Sequence, residues 1–88
     1  MIFLPDKTNS ERKNIDYKLL SKRLYALRKE RKISQKVLDD IVGLPQTTYS
    51  CYETGRRIPT TLKLIYIAQY YNVLLDYLVG RSDELEIK

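Results

Sequence analysis

From Ile15 onward the apolar residues of this chain recur at intervals of three and four. Leu20, Leu24 and Leu27 fall on one face of a first helix, because 3.6 residues per turn brings such positions into line. Asn14 or Asp16 is placed to cap its start, and Arg31-Lys32 suit the negative end of its dipole. Ser34 reads as the N-cap of a second helix, Gln35 to Val42, with Leu38 and Val42 turned inward and Gly43 ending it. After Leu44, Pro45 fits the first turn of a third helix, where its missing N–H is harmless, and that helix stops at Gly55. Thr60 or Thr61 caps a fourth helix with Leu64, Ile67, Ala68 and Tyr71 on one face, closed by Asn72. Leu75 to Val79 forms a short fifth helix ending at Gly80. No run of period-two alternation is long enough for a strand, and there is no internal repeat.

Five short helices with tight connections predict a compact all-α domain over residues 15–80, with an arm at 1–14 and an acidic tail at 81–88. The segment at about 35–54 is the informative one. Two short helices joined through a Gly corner must cross steeply, as in a helix-turn-helix, and the crossing needs inward apolar groups. Leu38, Val42, Leu44, Tyr49 and Tyr52 supply them. Periodicity by itself gives a helical hairpin and leaves its use open.

Composition then removes whole classes of function. A chain of 88 residues holds one domain, and this one has a single Cys, Cys51, and no His. No internal disulfide framework, no zinc site of the usual kind and no Cys-His or Ser-His nucleophile can be built. The expectation is a protein that is not an enzyme and carries neither cofactor nor metal. No apolar run approaches a membrane span, and the opening Met1-Ile2-Phe3-Leu4-Pro5 lacks the basic leader of a secretion signal, so a cytoplasmic location is expected. The net charge of +5 is concentrated: Tyr17 to Lys36 holds eight basic residues against one acid, Glu30, and Arg56-Arg57 follow Gly55. Such a concentration suits a phosphate-facing surface, although a solvated helix face has the same look.

Several stretches, in order and at consistent spacing, carry a resemblance. They are Leu24-Tyr-Ala-Leu-Arg-Lys-Glu-Arg31, Ser34-Gln35, Val42-Gly43-Leu44, Tyr52-Glu53-Thr54-Gly55-Arg56-Arg57-Ile58-Pro59 and the run Asn72 to Gly80. Together they resemble the Cro/phage-repressor helix-turn-helix family, also called the xenobiotic-response-element family, from about Leu20 to Gly80. The resemblance implies a five-helix lambda-repressor-like domain that binds double-stranded DNA in a sequence-specific way, as a transcriptional regulator of the repressor kind. In that family the second motif helix, here about 45–54, lies in the major groove. The resemblance therefore assigns base contacts to Gln46, Thr47 and Ser50, with Cys51 beside them. It assigns phosphate contacts to Ser34, Gln35, Lys36, Thr54, Arg56 and Arg57, Ser34 being first of all a cap. Arg28 and Glu53 match a pair that bridges the first and third helices in family members, with Arg28 also within reach of a phosphate.

Some positions depart from the family pattern. Asp39 stands where the family usually has a small residue such as Ala, and a carboxylate there must tilt to water or accept a hydrogen bond, for instance from the Thr47 or Thr48 amide. The third helix carries no Lys or Arg, and Leu74 replaces a frequent capping Ser. Tyr49, Tyr52 and Tyr71 fall at core positions, whereas Tyr66, Tyr70 and Tyr77 with Leu62 and Leu74 leave more apolar surface than a small domain should expose. Family members often pair through their last helices, so the expectation is a homodimer using Tyr70, Leu74 and Tyr77. The alternative is a protein-interaction module, an antitoxin or adaptor built on the same fold whose protein partner covers that surface.

Overall fold

A computed structural model describes residues 16–83, which form five helices and no strands. These are α1 (Tyr17–Arg31), α2 (Gln35–Val42), α3 (Thr48–Thr54), α4 (Thr61–Tyr71) and α5 (Leu75–Leu78). The arm expected at 1–14 and the tail beyond residue 83 lie outside the described residues.

Local chemistry explains the helix ends. Asp16, Ser34 and Thr60 each accept a hydrogen bond from the backbone N–H three residues on, which satisfies one of the orphan donors of a first turn. Lys32, Gly43, Gly55 and Asn72 end their helices in the left-handed conformation and return their N–H groups to the last turn. Gly43, at φ 74°, lets the chain turn from α2 towards α3 at little cost. Gly80 is constrained by space as well as by its φ of 83°, since a Cβ there would lie 2.8 Å from that of Asp16.

The core is one cluster to which every helix contributes. Leu20, Leu24 and Leu27 of α1 meet Leu38 and Val42 of α2, Tyr49 and Tyr52 of α3, and Leu64, Ile67, Ala68 and Tyr71 of α4. Val73, Leu78 and Val79 close the far end. Fully burying a side chain such as Leu24 or Ile67 contributes about 1.5–3 kcal/mol, so the periodic face read from the sequence is the main source of stability. The two most buried rings also share a polar contact. The Tyr49 and Tyr71 hydroxyls lie 3.2 Å apart, and that of Tyr49 reaches the Leu24 carbonyl at 3.3 Å. Burial pushes the phenols of Tyr49, Tyr52 and Tyr71 above their usual range.

One boundary differs from the sequence expectation. The third helix opens at Thr48, and Pro45-Gln46-Thr47 forms a turn before it, closed by the Thr48 N–H on the Pro45 carbonyl at 3.1 Å. Thr47 has φ 69°, which no residue inside a right-handed helix adopts. Its amide is drawn inward by the carboxylate of Asp39. The last helix stops at Leu78, with Val79 as its cap.

Candidate nucleic-acid interface

α2 and α3 form a rigid corner, and Asp39 is its pin. Asp39 is only 4% exposed, and its carboxylate accepts the Thr47 N–H at 2.9 Å and the Tyr49 N–H at 2.8 Å. Of the two amides named from sequence it takes that of Thr47, with Tyr49 in place of Thr48. Thr47, at the N-cap position, makes no side-chain cap of its own. The carboxylate of Asp39 therefore acts as the cap of α3 from the neighbouring helix, and a negative charge at a helix N-terminus is favourable. The misfit residue is the device that orients the third helix. It faces inward, so its charge does not confront a ligand at the surface.

A second brace fixes α3 against α1. Arg28 donates to both Glu53 oxygens, at 2.6 and 3.1 Å, and to the Ile33 carbonyl at 3.0 Å. The Glu53 side chain is 4% exposed and that of Arg28 12%. The hydrogen bond to Glu53 raises the Arg28 pKa further, so the guanidinium is always charged. Gln35 completes the cluster, its Nε2 donating to Glu53 at 2.9 Å. The Gln35 side chain, assigned to a phosphate from sequence, is thus drawn into an internal network, which leaves the N-terminal turn of α2 as that residue's route to an anion.

The remaining candidates can now be placed. Thr48, Tyr49 and Tyr52 bury one face of α3, and Ser50, Cys51 and Thr54 lie on the other, half-buried or exposed. Gln46 is exposed in the turn that leads into α3. The first turn of α3 thus holds Ser50, while Gln46 and Thr47 precede it. Ser34, Lys36, Arg56 and Arg57 are exposed on the flanking segments, and the Thr54 hydroxyl donates to the Cys51 carbonyl at 3.2 Å. The edge of α3 is therefore neutral and polar; the exposed Arg56 and Arg57 follow its C-terminal end, and Lys36 adjoins Gln35, which bonds Glu53 at that same end.

Tyr70, Leu74 and Tyr77 each have their own surroundings. Tyr70 is 38% exposed and stands edge-on to Tyr71, while the Arg23 guanidinium lies over the Tyr77 ring at 3.8 Å. Leu74 instead lines an apolar groove of about 390 Å³ with Ile65, Val73 and Leu75, between α4 and α5.

Sequence reasoning missed three cationic braces. Lys63 of α4 donates to the Val42 and Gly43 carbonyls at 3.0 and 3.4 Å, closing the exposed end of α2. Arg31 does the same for Tyr71 at the end of α4, at 2.8 Å. Arg23 reaches the Tyr77 and Ser82 carbonyls and Asp83. Cations at helix C-termini are a known preference, but these partners lie far away in sequence and leave no local signal.

Comparison with known proteins agrees with this geometry. The helix-turn-helix family profile matches residues 24–78. The chain is 33% identical over 66 residues to the uncharacterized HTH-type transcriptional regulator YobD of Bacillus subtilis (strain 168), covering 75% of this chain and 59% of that protein. It is 37% identical over 67 residues to YqaE, another uncharacterized HTH-type transcriptional regulator of the same organism, with 75% and 58% covered. The chain thus spans less than two thirds of the length of these relatives. Among solved structures, the P22 c2 repressor in complex with a synthetic operator superimposes with a TM-score of 0.68 at 28% identity, over 73% of this chain and 97% of that one. With its matched profile, its five-helix fold and its α2–α3 corner, the chain belongs to the helix-turn-helix family of Cro/phage-repressor type.

Proposed function

We propose that the protein binds double-stranded DNA in a sequence-specific way as a transcriptional regulator of the repressor kind, with α3 and the turn before it in the major groove. The observation that carries this reading is the pinned corner. Asp39 and the Arg28–Glu53 pair fix α3 so that a neutral polar edge faces outward, with the exposed cations Lys36, Arg56 and Arg57 beside its C-terminal end. Preorganised polar groups read base edges, and flanking cations hold the backbone. Gln46, Thr47, Ser50 and Cys51 are the base readers in this scheme. Ser34, Gln35, Lys36, Thr54, Arg56 and Arg57 hold phosphates, the first two chiefly through the N-terminal turn of α2. The solved complex of the P22 c2 repressor with its operator supports the same use of the fold. The same reading expects a cytoplasmic protein. No helix among the described residues is long and apolar enough to cross a membrane.

The apolar groove at Leu74 supports pairing of two such chains through α4 and α5, which would match a two-fold operator. A protein partner in that groove is the second reading. The deciding experiment selects bound duplexes from a random DNA pool at physiological salt. An enriched inverted repeat is expected, and would establish both base reading and pairing. A folded protein that enriches no motif would overturn the proposal in favour of the protein-interaction role.

A further inference from the structure

We propose that α1 carries a second DNA-backbone track, Lys18, Lys22, Tyr25 and Lys29, alongside the phosphate contacts that flank α3. The inference rests on the DNA-binding reading and extends its footprint to a helix outside the motif.

The structure divides the basic residues of the first helix into two groups. Its three braced arginines, Arg23, Arg28 and Arg31, are committed internally to carbonyls and carboxylates. Lys18, Lys22 and Lys29 are all exposed, and among the described residues none has a carboxylate within ion-pair distance. This division follows the chemistry of the two side chains: the planar guanidinium suits fixed bidentate partners, and the ammonium on a flexible stem suits a hydrated, mobile anion.

These lysines also share a face. Positions 18, 22, 25 and 29 are spaced by four, three and four residues, the interval that aligns side chains along a helix. At one end, Lys18 and Lys22 line a cleft of about 370 Å³ with Tyr17, Ser21, Thr54 and Gly55. That cleft is continuous with the last turn of α3, the helix proposed to lie in the groove. The Ser21 hydroxyl is engaged with the Tyr52 carbonyl at 2.9 Å, and the Gly55 and Arg56 amides are bonded within the α3 end. The two ammonium groups and the Tyr17 hydroxyl are therefore the donors left for an anion in the cleft. At the other end, Tyr25 is 49% exposed, with Lys29 Nζ 5.8 Å and the Arg28 guanidinium 5.6 Å from its ring. A phenol beside two cations can donate its hydroxyl to a phosphate oxygen. From Lys18 to Lys29 the helix rises about 16 Å. One DNA strand carries a phosphate every 3.4 Å or so of axis, so the stripe can follow several in succession.

The test is the salt dependence of binding to a mixed-sequence DNA duplex, measured for the wild-type chain, Lys18→Gln/Lys22→Gln and Lys18→Arg/Lys22→Arg. Melting curves check that all three are folded. The Gln pair is expected to lower the log–log slope by about 1.8, roughly 0.9 for each phosphate no longer neutralised, while the Arg pair keeps the wild-type slope. A wild-type slope in the Gln pair would overturn the track and leave the proposed function intact. A folded wild-type protein that does not bind DNA would overturn both.

Discussion

At the scale of single residues, Asp39 combines two roles that usually fall to different side chains. It belongs to α2, yet it supplies the N-cap of α3 by accepting the Thr47 and Tyr49 amides. Hydrogen bonds to a charged acceptor contribute about 1.5–3 kcal/mol, and losing them here would also leave two buried or half-buried donors without partners. Asp39→Ala places the residue usual for the family at this position and is expected to destabilise the fold by about 2–4 kcal/mol, read as a lower midpoint in urea. An unchanged midpoint would show that water replaces the carboxylate without loss. Thr47 belongs to the same arrangement: a β-branched residue at φ 69° costs about 1 kcal/mol or more, and it is held there because Asp39 draws its amide inward. The acid at position 39 is visible in the sequence as an oddity, and accepting an amide is one of two ways to accommodate it. Only the contact between the two helices decides between them, because an exposed Asp and a capping Asp have the same local pattern.

At the scale of elements, the α1–α3 contact is fixed by polar geometry as much as by apolar area. Arg28, Glu53 and Gln35 join the first three helices in one network. Arg28→Met leaves Glu53 almost buried with only the Gln35 amide for a partner. Breaking such a pair is expected to cost about 3 kcal/mol or more, whereas Arg28→Met/Glu53→Leu should recover much of that loss. Thermal melts of both variants beside the wild type check it, and an Arg28→Met midpoint equal to that of the wild type would mean that the pair contributes nothing beyond its surroundings. The helices themselves are legible from the order of caps and apolar positions. The start of α3 is not, because Pro45 fits a turn as well as it fits the first helical position.

At the scale of the whole molecule, the core is unusual in placing three tyrosines among its aliphatic side chains, and this ties stability to alkaline pH. Burial holds the phenols of Tyr49, Tyr71 and Tyr52 protonated in the fold. In the unfolded chain tyrosine ionises near pH 10. Above that value the unfolded state binds fewer protons than the folded one, so stability falls as pH rises; below it these groups contribute no pH dependence. Helical circular dichroism is expected to collapse on titration above about pH 10, with tyrosinate absorbance of the core rings appearing only as the helices melt. Tyr49→Phe should move the collapse to higher pH, and an unmoved onset would show that Tyr49 ionises without unfolding. Taken alone, the sequence determined the number of helices, most of their ends and most residues of the core, but not Val73, Leu78 and Val79, and it put the half-buried Leu44 inside. Caps and 3.6-residue periodicity act over a few neighbours, so they can be read locally. The tertiary structure decided what each charge does. Arg23 meets Ser82 across 59 residues and Lys63 meets Val42 across 21. Asp39 faces inward and the lysines of α1 outward because electrostatic partners are chosen by distance in space, which the chain acquires only on folding.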